Sequence, residues 1–257
     1  MKVDHWLARN FTRQLDRPLL RFYGWQPDCI SLGYHQNTSD IDQQRCSSEK
    51  IDLVRRPTGG RAILHAAELT YSVIYPYRDL DILNFYRLIH MPFVLALQEY
   101  NIPASFEPSQ ADFHSIYKTD RSFLCFATSA KFEVEINGKK LIGSAQRIYE
   151  HAILQHGSVL LGSQHQNIVD FLNMPETRKR NMKQYIDEHT TTVWNFHEKL
   201  QAADLAENIT DKFREEFGIT FFPLPENQNL FEKLTNLSDD HEFSIVDNYG
   251  EVKQFQS

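Results

Sequence analysis

Hydrophobic and polar residues follow two different periods along the 257-residue chain, so that both strands and helices are predicted. Apolar or alternating runs predict strands at residues 19–23, 29–32, 52–56, 69–75, 131–136, 139 onward and 152–161. Helical spacing predicts helices at residues 1–17, 39–49, 81–101, 167–172, 177–188 and 202–217. Short turns join most strands, and the helices are interspersed irregularly. This pattern is typical of an α+β fold with a mixed, largely antiparallel sheet flanked by helices.

The clearest hairpin turns at Asn137-Gly138, because both positions of the preferred two-residue turn need a positive φ. Simple register then pairs Ile136 with Lys139 and Glu135 with Lys140. In that register, four residues of the returning strand share one face: Lys140, Ile142, Ser144 and Gln146. Within the predicted helix at 81–101, Pro92 predicts a kink or a break.

Composition narrows the class of protein. The formal charge is −7, with 41% hydrophobic and 24% charged residues, which argues against a general nucleic-acid or anionic-membrane binder. No apolar run is long enough to span a bilayer, and the first residues lack a signal-peptide pattern. The three cysteines, Cys29, Cys46 and Cys125, have unrelated spacings that suit neither a disulfide framework nor zinc. We therefore expect a cytoplasmic protein without a metal site.

A glycine turn at Gly59-Gly60 separates the strands at 52–56 and 69–75 and is crowded by cationic side chains. Such a pair lets a ligand lie against bare backbone N–H groups, whereas a lone pair of glycines more often forms a hairpin turn. The surrounding residues that favour a ligand are Arg55, Arg56, Arg61 and His65. Both interpretations stay open from the residues alone.

Cys125 is the candidate nucleophile, since a thiol attacks as thiolate and a nearby cation such as Lys140 favours that form. A cysteine between leucine and phenylalanine is also typical of a buried core residue. In the hairpin register Lys140 lies opposite Glu135, about 30 Å along a straight strand from Cys125. The pair can meet only if the segment at 125–130 folds back over the sheet.

His156-Gly157 lies in the middle of a predicted strand, where a glycine allows a ligand close to the backbone. A satisfied core histidine is the alternative for both His156 and His65. No phosphate-binding P-loop, dinucleotide fingerprint, HExxH or GxSxG motif is present, so the use of ATP has no support from a general motif.

Two segments together resemble the signatures of the biotin/lipoate protein ligase superfamily: RRPTGGRA at residues 55–62 with ELTYSV at 68–73, and NGKKLIGSAQR at 137–147 with HGS at 156–158. The resemblance covers residues 1–217. It implies the fold of that superfamily for these residues and makes residues 218–257 an acidic C-terminal extension, either outside that domain or part of it. The family's Met-x-x-Asp-x-x-Leu helix matches residues 1–7, and the strand that normally precedes it is absent.

A Cys-Phe pair ahead of the Lys140 hairpin is similar to the octanoyltransferases typical of Gram-positive bacteria. That likeness implies octanoyl transfer from acyl carrier protein, through a Cys125 thioester with Lys140 as activator, to a lysine of a lipoyl-bearing protein. The acceptor would be a glycine-cleavage H-type protein or a dehydrogenase E2 lipoyl domain. The alternatives are an ATP-dependent lipoate–protein ligase and an amidotransferase between those two acceptors.

The resemblance implies no cofactor and assigns substrate contacts to ten residues: Arg56, Thr58, Gly59, Gly60, Arg61, His65, Ser144, Gln146, His156 and Gly157. We expect an apolar acyl slot beside the strands of Ile63 and Ile142. The carrier's acidic surface would need basic residues, for which Arg55, Arg56, Arg61 and the run at 178–180 are candidates, the run being equally consistent with a solvated helix face.

Overall fold

The computed structural model describes residues 1–11, 17–77, 81–108, 132–222, 245–246 and 252–253. Its helices are α1 (Lys2–Trp6, continued as a π-helix by Leu7–Phe11), α2 (Gln43–Ser48), α3 (Ile82–Glu99), α4 (Glu176–His189) and α5 (Ala202–Phe217). Short 3₁₀ helices occupy Thr38–Asp40, Ser163–Phe171 and Val193–Asn195.

The strands are β1 (Leu19–Tyr23), β2 (Cys29–Leu32), β3 (Asp52–Arg55), β4 (Ile63–His65), β5 (Glu68–Pro76), β6 (Ser105–Pro108), β7 (Phe132–Ile136), β8 (Lys139–Ile148), β9 (Ala152–Leu160), β10 (Ile245–Val246) and β11 (Val252–Lys253). Six form an antiparallel sheet in the order β1-β5-β9-β8-β7-β6. The other five form a second sheet in the order β11-β10-β3-β2-β4, in which β2 and β3 run parallel. The predicted fold class, mixed and largely antiparallel with flanking helices, is confirmed.

The two faces of the six-stranded sheet have different partners. On one face, α3 and α5 cover the main core, where Phe93 lies 4.5 Å from the Tyr71 ring and 6.1 Å from Phe213. Pro92 lies inside α3, which continues to Glu99, so the predicted break is wrong. Packing of the neighbouring side chains, Phe93 among them, stabilises the helix through the proline.

On the other face lie the N-terminal helix and the second sheet. Asp4 of α1 is fully buried, ion-paired with Arg21 and hydrogen-bonded to the Tyr23 hydroxyl at 3.0 Å. His5 meets the Tyr149 hydroxyl at 2.7 Å. These polar contacts fix α1 beside the sheet, so that this face carries a polar as well as an apolar lining.

The loop after β3 does not form a hairpin, and that interpretation of the glycine turn is wrong. β3 and β4 do not pair with each other; each pairs with β2, one on either side. Residues 56–62 therefore pass across the end of β2. Because β3 runs parallel to β2, the chain leaves β3 at the same end as β2, and the Gly59-Gly60 turn lies on the side of the six-stranded sheet.

The hairpin of β7 and β8 confirms the predicted turn and its first two pairs. Asn137 and Gly138 have φ of 51° and 74°, and Ile136 pairs with Lys139 and Glu135 with Lys140. The next pair is Val134 with Ile142, so Leu141 is an extra residue that forms a β-bulge. The predicted common face is therefore wrong for Lys140, because the bulge places Lys140 and Ile142 on opposite faces.

Candidate active site

A small, partly open pocket lies between the six-stranded sheet and the loops of the second sheet. Small side chains of β8 and β9, such as Ala145 and Ser158, leave this space over the sheet. The lining residues are Met1, Arg56, Ile63, His65, Thr70, Gly143, Ser144, Ala145, His156, Gly157 and Ser158. The two segments that carry the family signatures therefore contribute to one cavity. Of the two isoleucines expected beside an acyl slot, Ile63 lines this pocket, whereas Ile142 packs in the main core.

Thr58 and His156 join the two signatures directly. The Thr58 hydroxyl lies 2.7 Å from His156 Nε2, and both residues are buried. Burial lowers the pKa of the His156 imidazole to about 3, so the ring is neutral at pH 7. Its Nδ1 is also buried and has no hydrogen-bond partner among the residues that the structure describes. The ring is thus a neutral hydrogen-bonding group at the pocket wall.

His65 is held by a carboxylate that the sequence interpretation did not single out. Its Nδ1 lies 2.7 Å from Glu68 Oε1, and its Nε2 lies 2.7 Å from Ser31 Oγ. The same Glu68 oxygen accepts hydrogen bonds from Thr70 and Ser158. Trp25 stacks on His65 with ring centroids 4.4 Å apart. The available signal was alternation in β5, where the polar residues Glu68 and Thr70 alternate with Leu69 and Tyr71.

Arg56 points inward, with 2% of its surface exposed. Its guanidinium donates to the carbonyl and hydroxyl oxygens of Ser31 at 3.0 and 3.1 Å, to the Gly59 carbonyl at 3.1–3.2 Å and to the Arg61 carbonyl at 2.5 Å. A guanidinium in five such bonds fixes the glycine loop from beneath. The prediction that Arg56 contacts a carrier at the mouth is wrong, because its charged end is buried in the loop.

Arg55 has a similar structural role on the other side of β3. Its Nη1 donates to the carbonyl oxygens of Gly33, Tyr34 and Gln36 at 2.7–3.1 Å. Arg55 and Arg61 are both half-buried, whereas Arg56 is buried.

Gly33 and Gly60 allow the two loops to cross in contact. A Cβ on Gly33 would lie 2.0 Å from the Gly60 carbonyl oxygen, far closer than real Cβ atoms approach, and Gly60 has a φ of 90°. Gly59 differs from Gly33, since a Cβ there would meet nothing within 4 Å. The close crossing explains Gly33, the positive φ explains Gly60, and Gly59 has neither constraint.

The side chains of Ser144 and Gln146 lie on the opposite face of the sheet, although Ser144 and Gly157 also line the pocket. Ser144 Oγ lies 2.6 Å from the Tyr71 hydroxyl, and Gln146 Nε2 donates to Gln155 Oε1 at 2.6 Å. A Cβ on Gly157 would lie 2.7 Å from both the Tyr71 ring and Ser144 Oγ. The glycine therefore makes room for core side chains on this face, while Gly157 also lines the pocket, so its predicted contact with a ligand stays a prediction.

Lys140 lies on the pocket's face of the sheet as a result of the bulge. It is 4% exposed, and its ammonium forms an ion pair with Glu133, which is 1% exposed. The Thr191 N–H donates to the Lys140 carbonyl oxygen at 2.9 Å and anchors the strand to the end of α4. The other predicted catalytic residue, Cys125, lies outside the described residues.

Among the residues with a described structure, no three histidine, cysteine or acidic side chains cluster in a way that could hold a metal ion. The helices in this part of the chain are all too short or too polar to cross a membrane.

Cys29 and Cys46 are both buried, and burial raises the pKa of the Cys46 thiol to about 11. Neither thiol is therefore available as a thiolate at neutral pH.

Comparison with known proteins identifies the family of this chain. Residues 1–214 match the lipoyl protein ligase A/B catalytic domain. An octanoyltransferase LipM of an Exiguobacterium species is 34% identical over 231 residues, which are 87% of this chain and 84% of the relative. The octanoyltransferase LipM of Bacillus subtilis is 36% identical over 190 residues, 72% of this chain and 68% of the relative.

Solved structures agree on the fold. A bipartite lipoate protein ligase from Thermoplasma acidophilum has a TM-score of 0.70 at 21% identity, covering 92% of this chain and 87% of its own. A lipoate-protein ligase A bound with ATP has a TM-score of 0.69 at 22% identity, with 92% and 88% covered. The chain therefore belongs to the lipoyl protein ligase A/B catalytic-domain family, in the group of its octanoyltransferases.

Proposed function

We propose that this octanoyltransferase takes its acyl group from acyl carrier protein, holds it as a thioester on Cys125 and delivers it to a lysine of a lipoyl-bearing protein in lipoate biosynthesis. The observation that carries the proposal is the bulge at Leu141, which turns Lys140 onto the sheet face that lines the pocket. An ammonium on that face favours a thiolate nearby.

The two steps need no activated nucleotide. In the first, the Cys125 thiolate attacks the carrier thioester, one thioester forms as the other breaks, and the carrier leaves as a thiolate. In the second, the acceptor's lysine amine attacks the enzyme thioester and loses a proton, an amide forms, and Cys125 is released as thiolate. Exchange between thioesters is nearly even in free energy, whereas formation of the amide drives the reaction forward.

The acyl chain belongs in the pocket beside Ile63 and Ala145. Each methylene removed from water there contributes about 0.8 kcal/mol. Developing charge on the carbonyl oxygen needs a hydrogen-bond donor, and the backbone N–H groups of the Gly59-Gly60 loop are candidates. Among the basic residues considered for carrier docking, Arg178 and Arg180 are exposed on α4. The acceptor is a glycine-cleavage H-type protein or a dehydrogenase lipoyl domain.

The experiment is an intact-mass measurement after incubation with octanoyl carrier protein and no ATP. We expect one octanoyl group on the wild type and loss of that adduct in the Cys125→Ser variant. The Cys46→Ser variant should keep the adduct, because the Cys46 thiol that it removes is buried. Addition of an apo lipoyl domain should then discharge the adduct and modify the acceptor. An unmodified wild type would contradict the proposal, and modification of the acceptor only with ATP and free octanoate would identify a ligase.

A further inference from the structure

Glu133 and Lys140 form an ion pair whose two side chains are almost completely buried, with 1% and 5% exposed. They lie on neighbouring antiparallel strands, β7 and β8. Because of the bulge, Lys140 shares a face with Glu133 and Glu135 instead of with the apolar side chains of Val134 and Ile142. The sequence interpretation gave Glu133 no role.

We infer that Glu133 is a positioning residue for Lys140, whose ammonium its carboxylate keeps charged and directed toward the pocket's side of the sheet. This inference rests on the proposed role of Lys140 as activator of Cys125. Glu133 itself need not touch the substrate. Its effect passes through the lysine.

The physical reason is the cost of a buried charge. An ammonium removed from water loses several kcal/mol of hydration, so a buried lysine tends to release its proton unless an anion compensates. A lysine that had lost its proton could not favour a neighbouring thiolate. The Glu133 carboxylate is therefore a condition for the electrostatic role of Lys140, even though the pair as a whole is neutral.

The position of β8 is fixed by backbone contacts, whereas the position of the Lys140 ammonium depends on its side-chain partner. The Thr191 N–H bonds to the Lys140 carbonyl oxygen, and a β-bridge joins Lys140 to Thr190. Those contacts persist if the side chain of Glu133 is changed. Substitution at Glu133 therefore acts on the ammonium while β8 stays anchored to the end of α4.

Other charged or titratable groups near this point have different partners or positions. Glu135 is the cross-strand neighbour of Lys140 and is half-buried, and the exposed Lys139 donates to the Asp187 carbonyl oxygen. His165 bonds to Thr190 Oγ1, and burial lowers its pKa to about 4, so its ring is neutral. Glu135 thus provides a comparison: a carboxylate two residues away on the same strand that is half-buried, whereas Glu133 is almost completely buried.

The test follows the ionisation of Lys140 directly, in protein labelled with ¹³C at the lysine ε-carbons. The Lys140 signal is assigned by its loss in the Lys140→Arg variant, and its chemical shift is titrated from pH 7 to 11. In Glu133→Gln we expect the titration midpoint to fall by about 1–2 pH units relative to wild type. In Glu135→Gln the fall should be smaller, because water screens the half-buried Glu135 carboxylate more than the buried Glu133 carboxylate.

Activity provides the second readout. Glu133→Gln should lower kcat for octanoyl transfer, leave KM for the carrier unchanged and move the pH profile, and Glu133→Asp should recover part of each effect. If Glu133→Gln does not fold, Glu133→Asp carries the test through a smaller shift in the same direction. A Lys140 midpoint in the Glu133 variants equal to that of Glu135→Gln overturns the inference.

The titration also keeps this inference separate from the proposed function. If wild-type Cys125 never carries an octanoyl group, the proposed function fails, whereas the Lys140 titration still reports whether Glu133 holds its charge. If the adduct forms normally and the Lys140 midpoint does not respond to Glu133, only the inference about Glu133 fails.

Discussion

Thr58 Oγ1 and His156 Nε2 meet at 2.7 Å across 98 residues of chain, and this hydrogen bond ties the glycine loop of the second sheet to the central strands of the first. Both side chains are buried. The pocket is bounded by these two structures, so its width depends on the contact. The hydrogen bond therefore helps to set the width of the pocket, independently of which substrate group enters the pocket.

Replacing Thr58 with valine keeps the side-chain volume and removes the hydroxyl. A buried imidazole nitrogen is then left without its partner, and we expect a loss of about 1–3 kcal/mol in the free energy of unfolding. Urea denaturation measures it. The same substitution at the exposed Thr177 on α4 is the control and should change stability by less than about 0.5 kcal/mol.

A double-mutant cycle tests the pairing itself. When His156→Leu is combined with Thr58→Val, no unpaired polar atom from this bond remains, so the double variant should be more stable than the sum of the two single losses predicts. Additive losses would mean that the two side chains do not depend on each other.

Gly33→Ala should destabilise the fold strongly, since the new Cβ would lie 2.0 Å from the Gly60 carbonyl oxygen. Overpacking of this kind costs about 3 kcal/mol when backbone has to move. Gly59→Ala is the matched control from the adjoining loop, because a Cβ there meets nothing within 4 Å. Thermal unfolding compares the two, and equal melting temperatures would contradict the proposed close crossing.

Gly59→Ala also separates stability from function. The variant should unfold like the wild type, so a loss of octanoyl transfer in it would come from a contact with the substrate at the loop. Activity equal to the wild type would instead show that the substrate does not need the space beside the Gly59 Cα, since alanine keeps the backbone N–H of that position.

Local signals in the sequence predicted most elements of the fold. Asn137-Gly138 predicted the turn because few residues other than asparagine and glycine accept the positive φ that it needs. The helix at residues 202–217 and the strand at 19–23 have the predicted bounds. Pairing of β3 with β2, rather than with β4, depends on contacts between sheets, which no local pattern contains.

The site was harder to predict, because it depends on which face of the sheet each side chain occupies and on which groups that side chain bonds. Alternation placed Lys140 with Ile142, and one extra residue in the bulge reversed that assignment. Clustered arginines suggested a surface for an acidic partner, whereas Arg56 is buried among carbonyl oxygens of the chain itself. A positive charge in sequence does not reveal whether it faces solvent or satisfies the backbone.

Ala145→Leu should narrow the acyl slot, because Ala145 lines the pocket and has the smallest side chain that carries a Cβ. We expect transfer of octanoyl to fall at least about tenfold relative to transfer of a four-carbon acyl group. Competition between the two acyl carrier thioesters measures the ratio. Ala203→Leu, the same change at an exposed position of α5, should leave the ratio unchanged. An unchanged ratio in Ala145→Leu would mean that the chain binds elsewhere.

His90 should make the fold sensitive to acid. Its Nδ1–H donates to the Tyr86 carbonyl oxygen at 2.8 Å, so its Nε2 accepts, and Ser144 Oγ lies 2.8 Å away. Burial lowers the pKa of His90 to about 4, whereas a histidine in the unfolded chain has a pKa of about 6.5. Between those values the unfolded chain binds a proton that the folded protein does not. The contribution of His90 to stability is therefore complete above about pH 6.5 and is lost as the pH falls toward 4.

In His90→Gln, residue 90 binds no proton in either the folded or the unfolded state, so its contribution to the pH dependence of stability is lost. The free energy of unfolding of the wild type should fall with acidification, and the variant's slope should be shallower by about 1.4 kcal/mol per pH unit in the middle of the window. Urea denaturation at a series of pH values between 4.5 and 6.5 measures both slopes. His151→Gln is the control, since that side chain is 47% exposed and should leave the slope at the wild-type value. Parallel curves for wild type and His90→Gln would show that His90 takes up a proton in the folded protein as readily as in the unfolded chain.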